Sequence, residues 1–149
     1  MAVTSLNVAN YFVKKSADEK ISLTPMKLQK LVYILYKEYL KRTGQKLFAE
    51  KFQVWRYGPV EEKIYQSFKK YGSSDIQGKY APDNDGNFRI IKVEGSLKDV
   101  ADMVWNKHKT DDGVYLSMLT HQNNTAWSKG KAKQRTYLLT SDIKEEVTF

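Results

Sequence analysis

The sequence predicts an α+β fold, predominantly α-helical: a compact single domain over residues 1–149 with about six helices, a short strand and a small β-hairpin. Three observations predict it. Apolar residues recur at helical spacing in several separate stretches. Phe52 to Tyr57 alternates and is rich in β-formers, and Asp85-Gly86 is a turn pair between two extended arms. A chain of 149 residues with 41% hydrophobic and 28% charged residues can bury one core without disulfides or a structural metal.

The elements follow in order. Leu6, Ala9 and Val13, with Val8 and Phe12 beside them, form the first helix, capped by Thr4 or Ser5. The second is better punctuated. Thr24 is a natural N-cap, Pro25 suits the first helical position where an N–H has no partner, and Gly44 supplies a left-handed end. Leu28, Leu31, Val32, Leu35 and Tyr39 make its stripe, widened by Ile34, Tyr36 and Leu40, so this helix is expected to be central. Lys27, Lys30, Lys37, Lys41 and Arg42 mark its wetter side.

The strand Phe52–Tyr57 ends at Gly58-Pro59, which is expected to open a helix running to Tyr71 and stopped by Gly72, with Val60, Ile64, Phe68 and Tyr71 buried. A hairpin is expected between Lys79 and Val93. Ser96 with Asp99 resembles a capping box before a helix buried through Leu97, Val100, Ala101, Val104 and Trp105. Another helix is placed at about Val114 to Gln122, and a last one after Ser141 with Ile143 and Val147 on one face.

Composition narrows the function. There is no cysteine, which removes disulfides, thiolate nucleophiles and cysteine-type zinc sites. His108 and His121 lack the spacing of a metal pair. Asp83 to Glu94 imitates a calcium loop, but Phe88 stands where the sharp turn requires glycine. The sequence has no Walker loop, dinucleotide fingerprint or nucleophile elbow. The acidic pairs Asp18/Glu19, Glu61/Glu62, Asp111/Asp112 and Glu145/Glu146 fit helix ends, turns or solvent. The expectation is a non-enzyme with no catalytic residues, metal or cofactor. The N-terminus does not resemble a signal peptide, and the longest apolar run, Leu31 to Tyr36, is far short of the roughly 20 residues that span a bilayer. No membrane association and a cytoplasmic location are expected.

The net charge is +8, and nearly all of it lies in residues 1–75, which hold 14 basic and 7 acidic side chains. Within Lys27 to Tyr71, ten aromatics interleave with eleven Lys and Arg. Seven or more of those aromatics are expected in the core. The rest, with Arg56, are of the types that dominate protein interfaces. Basic and aromatic residues together also suit nucleic acid, and helix, helix and hairpin could assemble as a winged helix-turn-helix. No compact basic recognition helix is present, so nucleic acid is the second choice. Lys129 to Arg135 forms a second basic strip, expected as a solvated loop.

Three segments carry a family resemblance. Leu23-Thr24-Pro25-Met26-Lys27-Leu28-Gln29-Lys30-Leu31-Val32-Tyr33 is similar to the "LT-x-x-KLQKLLYY" helix of the SocA-like, GepA-type phage-associated proteins, also called the Panacea domain. Phe52 to Val60 resembles that family's "F-x-A-W-x-YGPV" signature, and Tyr65 to Gly72 its "Y-x-x-F-K-x-YG" helix. Thr120-His121 and Ala126-Trp127 resemble its "TH-x(n)-PW" element, although Ala126 stands for the usual proline, and Gly130-Lys131 for Ala-Arg. The resemblance covers about residues 5–148.

It implies a non-enzymatic antitoxin of a bacterial or prophage toxin-antitoxin system. Such a protein binds and neutralises a cognate toxin protein from an adjacent gene, and some relatives hand the toxin to a protease or chaperone. The alternative is a DNA-binding regulator of its own operon. Lys27, Lys30, Arg56 and Tyr57, then His121 and Trp127, are the expected partner-binding residues, with Lys30, Arg56 and Tyr57 as the surface choices. Leu28, Gln29, Trp55, Gly58 and Pro59 are expected to determine the fold.

Overall fold

The computed structural model describes residues 2–149. Seven helices and one two-stranded sheet run in the order α1 (Ser5–Glu19), α2 (Pro25–Thr43), β1 (Phe52–Trp55), β2 (Gly58–Glu61), α3 (Glu62–Phe68), α4 (Gly95–His108), α5 (Gly113–His121), α6 (Ala126–Ala132) and α7 (Thr140–Glu145), with a 3₁₀ turn Lys69–Tyr71 after α3. The expected class, mainly helical α+β, is the observed one.

Helix α2 is the axis. Of its 19 residues 13 are buried, and α1, α3, α4, α5, α7 and β2 all pack on it. Thr24 accepts from the Lys27 N–H, Pro25 opens the helix, and Gly44 closes it with φ +74°. One hydrophobic cluster gathers Leu28, Leu31, Val32 and Leu35 with Phe12 from α1, Phe52 from β1, Trp105 from α4 and Leu116 from α5. At about 25 cal/mol per Å² of apolar area, such large side chains supply most of the driving force.

Two expectations about local structure are corrected. Gly58-Pro59 does not start a helix; it continues a hairpin. Strands β1 and β2 pair antiparallel, with Trp55 opposite Gly58 and Val54 opposite Pro59. Proline fits there because Val54 N–H points to the other edge, where it donates to Thr136 C=O at 2.9 Å. Helix α3 begins only at Glu62, with the Glu61 carboxylate accepting from Ile64 N–H at 2.9 Å.

The hairpin expected at Lys79–Val93 does not form; that segment is irregular around a turn. Asparagines of α1 take its backbone groups instead. Asn10 donates to Ala81 C=O and accepts from Ala81 N–H, both at 2.9 Å, and also donates to Arg89 C=O. The segment's charges pair with each other, Arg89 bridging Asp83 at 2.9 Å and Asp85 at 2.6 Å. A ladder between two strands would have to displace these bonds.

Smaller corrections concern ends. The Ser96–Asp99 capping box is absent, since α4 starts at Gly95 without a side-chain cap. The strip Lys129–Arg135 is largely helix α6, opened by a capping box of Thr125 and Ser128. Val147 lies beyond α7 and is exposed, while Ile143 is buried. Of the ten aromatics in the Lys27–Tyr71 belt, Tyr33, Tyr36, Phe48, Phe52 and Phe68 are buried, fewer than expected. Among the described residues no helix is long and apolar enough to cross a membrane.

Candidate functional site

The first two turns of α2 are a set of clamps. Gln29 reads the backbone of Glu61 on both sides, donating to its C=O at 2.8 Å and accepting from its N–H at 3.0 Å. Lys30 Nζ donates to Pro59 C=O at 2.9 Å. Lys27 Nζ donates to Ser22 C=O at 3.1 Å and to Lys109 C=O, a carbonyl left open at the end of α4. Leu28 between them is fully buried. The "wet side" assigned to α2 is therefore dry at Lys27, Lys30 and Lys37. Helical spacing places these lysines outside the apolar stripe, but neighbouring elements cover that flank and offer carbonyl acceptors.

The hairpin turn is held as tightly from the other side. Trp127 of α6 donates its indole N–H to Trp55 C=O at 2.6 Å. Ser117 of α5 donates its hydroxyl to Tyr57 C=O. Gly58 carries φ +115°, a conformation rare for L side chains. A Cβ there would lie 3.0 Å from Thr120 Oγ1 and 3.2 Å from Lys30 Nζ, so glycine also permits the close approach. Side chains thus engage the carbonyls of Trp55, Tyr57, Pro59 and Glu61. Arg56 and Tyr57 at the tip face solvent, Tyr57 with 53% of its surface exposed and Arg56 over its ring at 5.2 Å.

Beside the turn runs a groove of about 470 Å³. Its walls include Trp55, Tyr57, Tyr65 and Met26, with Lys30, Arg56 and Lys69 as its cations and no carboxylate in its lining. Trp55 and Tyr65 meet edge to face at 4.7 Å. Lys30 is only 2% exposed. Burial pulls its ammonium pKa down to about 7.

The structure thus unites Lys30, Arg56 and Tyr57 at one groove, with Trp55 in its wall. Gln29, Gly58 and Pro59 support it from inside. His121 and Trp127 stand behind the turn, their rings edge to face at 5.2 Å. Lys27 lies on another side, with both its acceptors internal. Lys30 is corrected from a surface residue to a buried one.

A family model described as "Antitoxin SocA-like, Panacea domain" matches residues 28–128, from the Gln29 and Lys30 clamps to the start of α6. The chain belongs to this antitoxin family. Antitoxin SocA of Caulobacter vibrioides (strain NA1000 / CB15N) is 32% identical over 75 residues, which cover 50% of this chain and 40% of that protein. The chain therefore matches well under half of that curated relative. No solved structure matches.

Ser117 escaped the sequence reading as a clamp residue and Thr120 as its neighbour packed on Gly58, as did Tyr65 and Lys69 as groove residues. A signal existed for the first pair: Gly113, Leu116, Ser117 and Thr120 share one face of α5 at helical spacing, all of it buried. Gly130 was another. A Cβ there would meet Val54 Cγ2 at 2.9 Å, so this glycine lets α6 close on β1.

Proposed function

We propose that this protein is a non-enzymatic cytoplasmic antitoxin that binds and neutralises a cognate toxin protein encoded in an adjacent gene of a bacterial or prophage locus. The observation that carries this reading is the fixed hairpin turn. Four of its carbonyls are taken by internal donors, while an arginine and a tyrosine are left at the tip beside a groove. Rigid display of such side chains lowers the ordering cost of association, and arginine and tyrosine are common energetic anchors of interfaces. Family membership supports the same reading. The winged-helix alternative is not favoured: the hairpin it drew on, at residues 79–93, does not form, and the matched family is an antitoxin family.

Co-expression tests the proposal. The adjacent open reading frame should arrest growth alone, be tolerated together with this chain, and co-purify with it. Continued arrest with both proteins present, or no complex, refutes it. Toxin half-life in the rescued cells separates the modes of action: shortening that requires a host protease or chaperone indicates delivery to proteolysis, and an unchanged half-life indicates direct blocking.

A further inference from the structure

Among the described residues, Lys30 is a buried lysine with a single hydrogen-bond acceptor. Its ammonium can donate three hydrogen bonds, and the protein supplies one acceptor, the Pro59 carbonyl at 2.9 Å. Among the described residues no carboxylate lies within 4.0 Å of it. The surrounding groups repeat the pattern: Thr120, which meets the same face of Gly58, is a neutral hydroxyl that itself donates to the Leu116 and Ser117 carbonyls, Gln29 in the groove lining is committed to the Glu61 backbone, and the other charged groups of that lining are Arg56 and Lys69. The Glu61 carboxylate is occupied at the start of α3 by Ile64 N–H. A buried cation with no counter-ion is costly to retain, and Lys30 lines a groove whose walls are largely aromatic and apolar.

We infer that this groove binds an acidic, apolar segment of a partner protein, with an Asp or Glu side chain of that segment placed on Lys30 Nζ. Flanking apolar side chains pack on Trp55, Tyr65 and Met26. Arg56 and Lys69 meet a second carboxylate at the rim. Three cations spread through one groove favour an internal segment with several acidic side chains over a single chain-end carboxylate. The inference deepens the antitoxin reading, because it gives the chemistry of the toxin surface.

Three blocked peptides test it against the intact protein labelled with ¹³C at lysine Cε. They are acetyl-Leu-Glu-Phe-Glu-Leu-amide, its double Gln counterpart, and the Gln peptide with a free C-terminal carboxylate. The Glu peptide is expected to bind roughly ten- to a hundredfold more tightly than the Gln amide, the range of one charge-assisted hydrogen bond. It should also raise the titration midpoint of Lys30, because a bound carboxylate favours the charged amine. Lys30→Met should shrink the difference to what the rim cations Arg56 and Lys69 alone supply. Equal affinities, an unmoved Lys30 midpoint, or a preference that Lys30→Met leaves undiminished each overturn the inference, and so does tighter binding of the free-carboxylate peptide. The wild-type comparison decides even if the variant folds poorly. A toxin complex indifferent to Lys30→Met leaves the antitoxin reading standing and removes this site; a Glu-selective groove with no toxin complex does the reverse.

Discussion

Lys30 and Lys37 sit two turns apart on α2, and both are buried, but their surroundings differ. Lys37 Nζ lies 3.0 Å from the Glu146 carboxylate, donates to Val147 C=O at 2.7 Å, and stands 3.2 Å over the ring of Phe149. Glu146 in turn accepts from Tyr33 O–H at 2.9 Å and from Ala126 N–H at 2.8 Å. That cluster ties the segment after α7 to the central helix and to the start of α6. Lys30 has one carbonyl and a groove. A buried cation with a full set of internal partners is part of the fold, whereas one whose partners are incomplete is the better candidate for a ligand.

The largest effect should follow from breaking the complete cluster. Lys37→Met leaves the Glu146 carboxylate buried without its cation, and this is expected to cost about 3–5 kcal/mol in urea unfolding. A loss under about 1 kcal/mol would mean that the pair is dispensable, and the contrast with Lys30 would collapse.

Lys30 itself should show in the pH dependence. Its pKa falls from 10.5 in the unfolded chain to about 7 in the folded one. Between those values the unfolded chain binds more protons, so the Lys30 contribution destabilises fully below about pH 7 and is relieved as pH rises. From pH 6 to pH 9 the wild type should gain about 2–3 kcal/mol relative to Lys30→Met. Burial also lowers the pKa values of Lys27 and Lys37, but both remain in the variant and cancel in the difference. Tyr11, pushed up to about 12, acts only above this range. A pH-independent difference would show that Lys30 is not desolvated.

Gly58→Ala should come next, at about 1–3 kcal/mol, because alanine must adopt the +115° φ while its Cβ presses on Thr120 and Lys30. Faster amide exchange in Arg56 and Tyr57 should accompany the loss. A neutral substitution would mean that the turn is not held where the clamps place it.

Most helices were legible in the sequence because period and caps agree: Thr24, Pro25 and Gly44 bound α2 as expected, whereas α6 was read as a solvated loop. Three further features were not. Asn7 and Asn10 read as ordinary polar residues of α1, so their capture of the 79–93 backbone, and the failure of that hairpin, could not be seen. Gly58-Pro59 has the signature of a helix start, but pairing with β1 and the clamps from Lys30 and Gln29 hold it extended. Lysine is normally a solvated residue, so three buried lysines on one helix contradict the prior that composition offers. For the candidate site, Lys30, Arg56 and Tyr57 do line one groove, but of these three expected surface residues Lys30 is buried while Arg56 and Tyr57 face solvent.

The smallest effect on folding, and the sharpest on function, is expected at that tip. Arg56→Ala and Tyr57→Ala remove exposed side chains whose neighbouring carbonyls are held by Trp127 and Ser117, so stability should stay within about 0.5 kcal/mol of wild type. If the tip anchors the toxin, each substitution should weaken the complex by about 1–2 kcal/mol or more, mainly through faster dissociation. Arg56→Ala also frees the Tyr57 ring from the cation above it, so the paired variant should lose less than the sum of the two. Dissociation kinetics with the co-expressed toxin measures both. Unchanged rates with an unchanged fold would move the interface away from the hairpin and leave Lys30 as a buried charge without a partner.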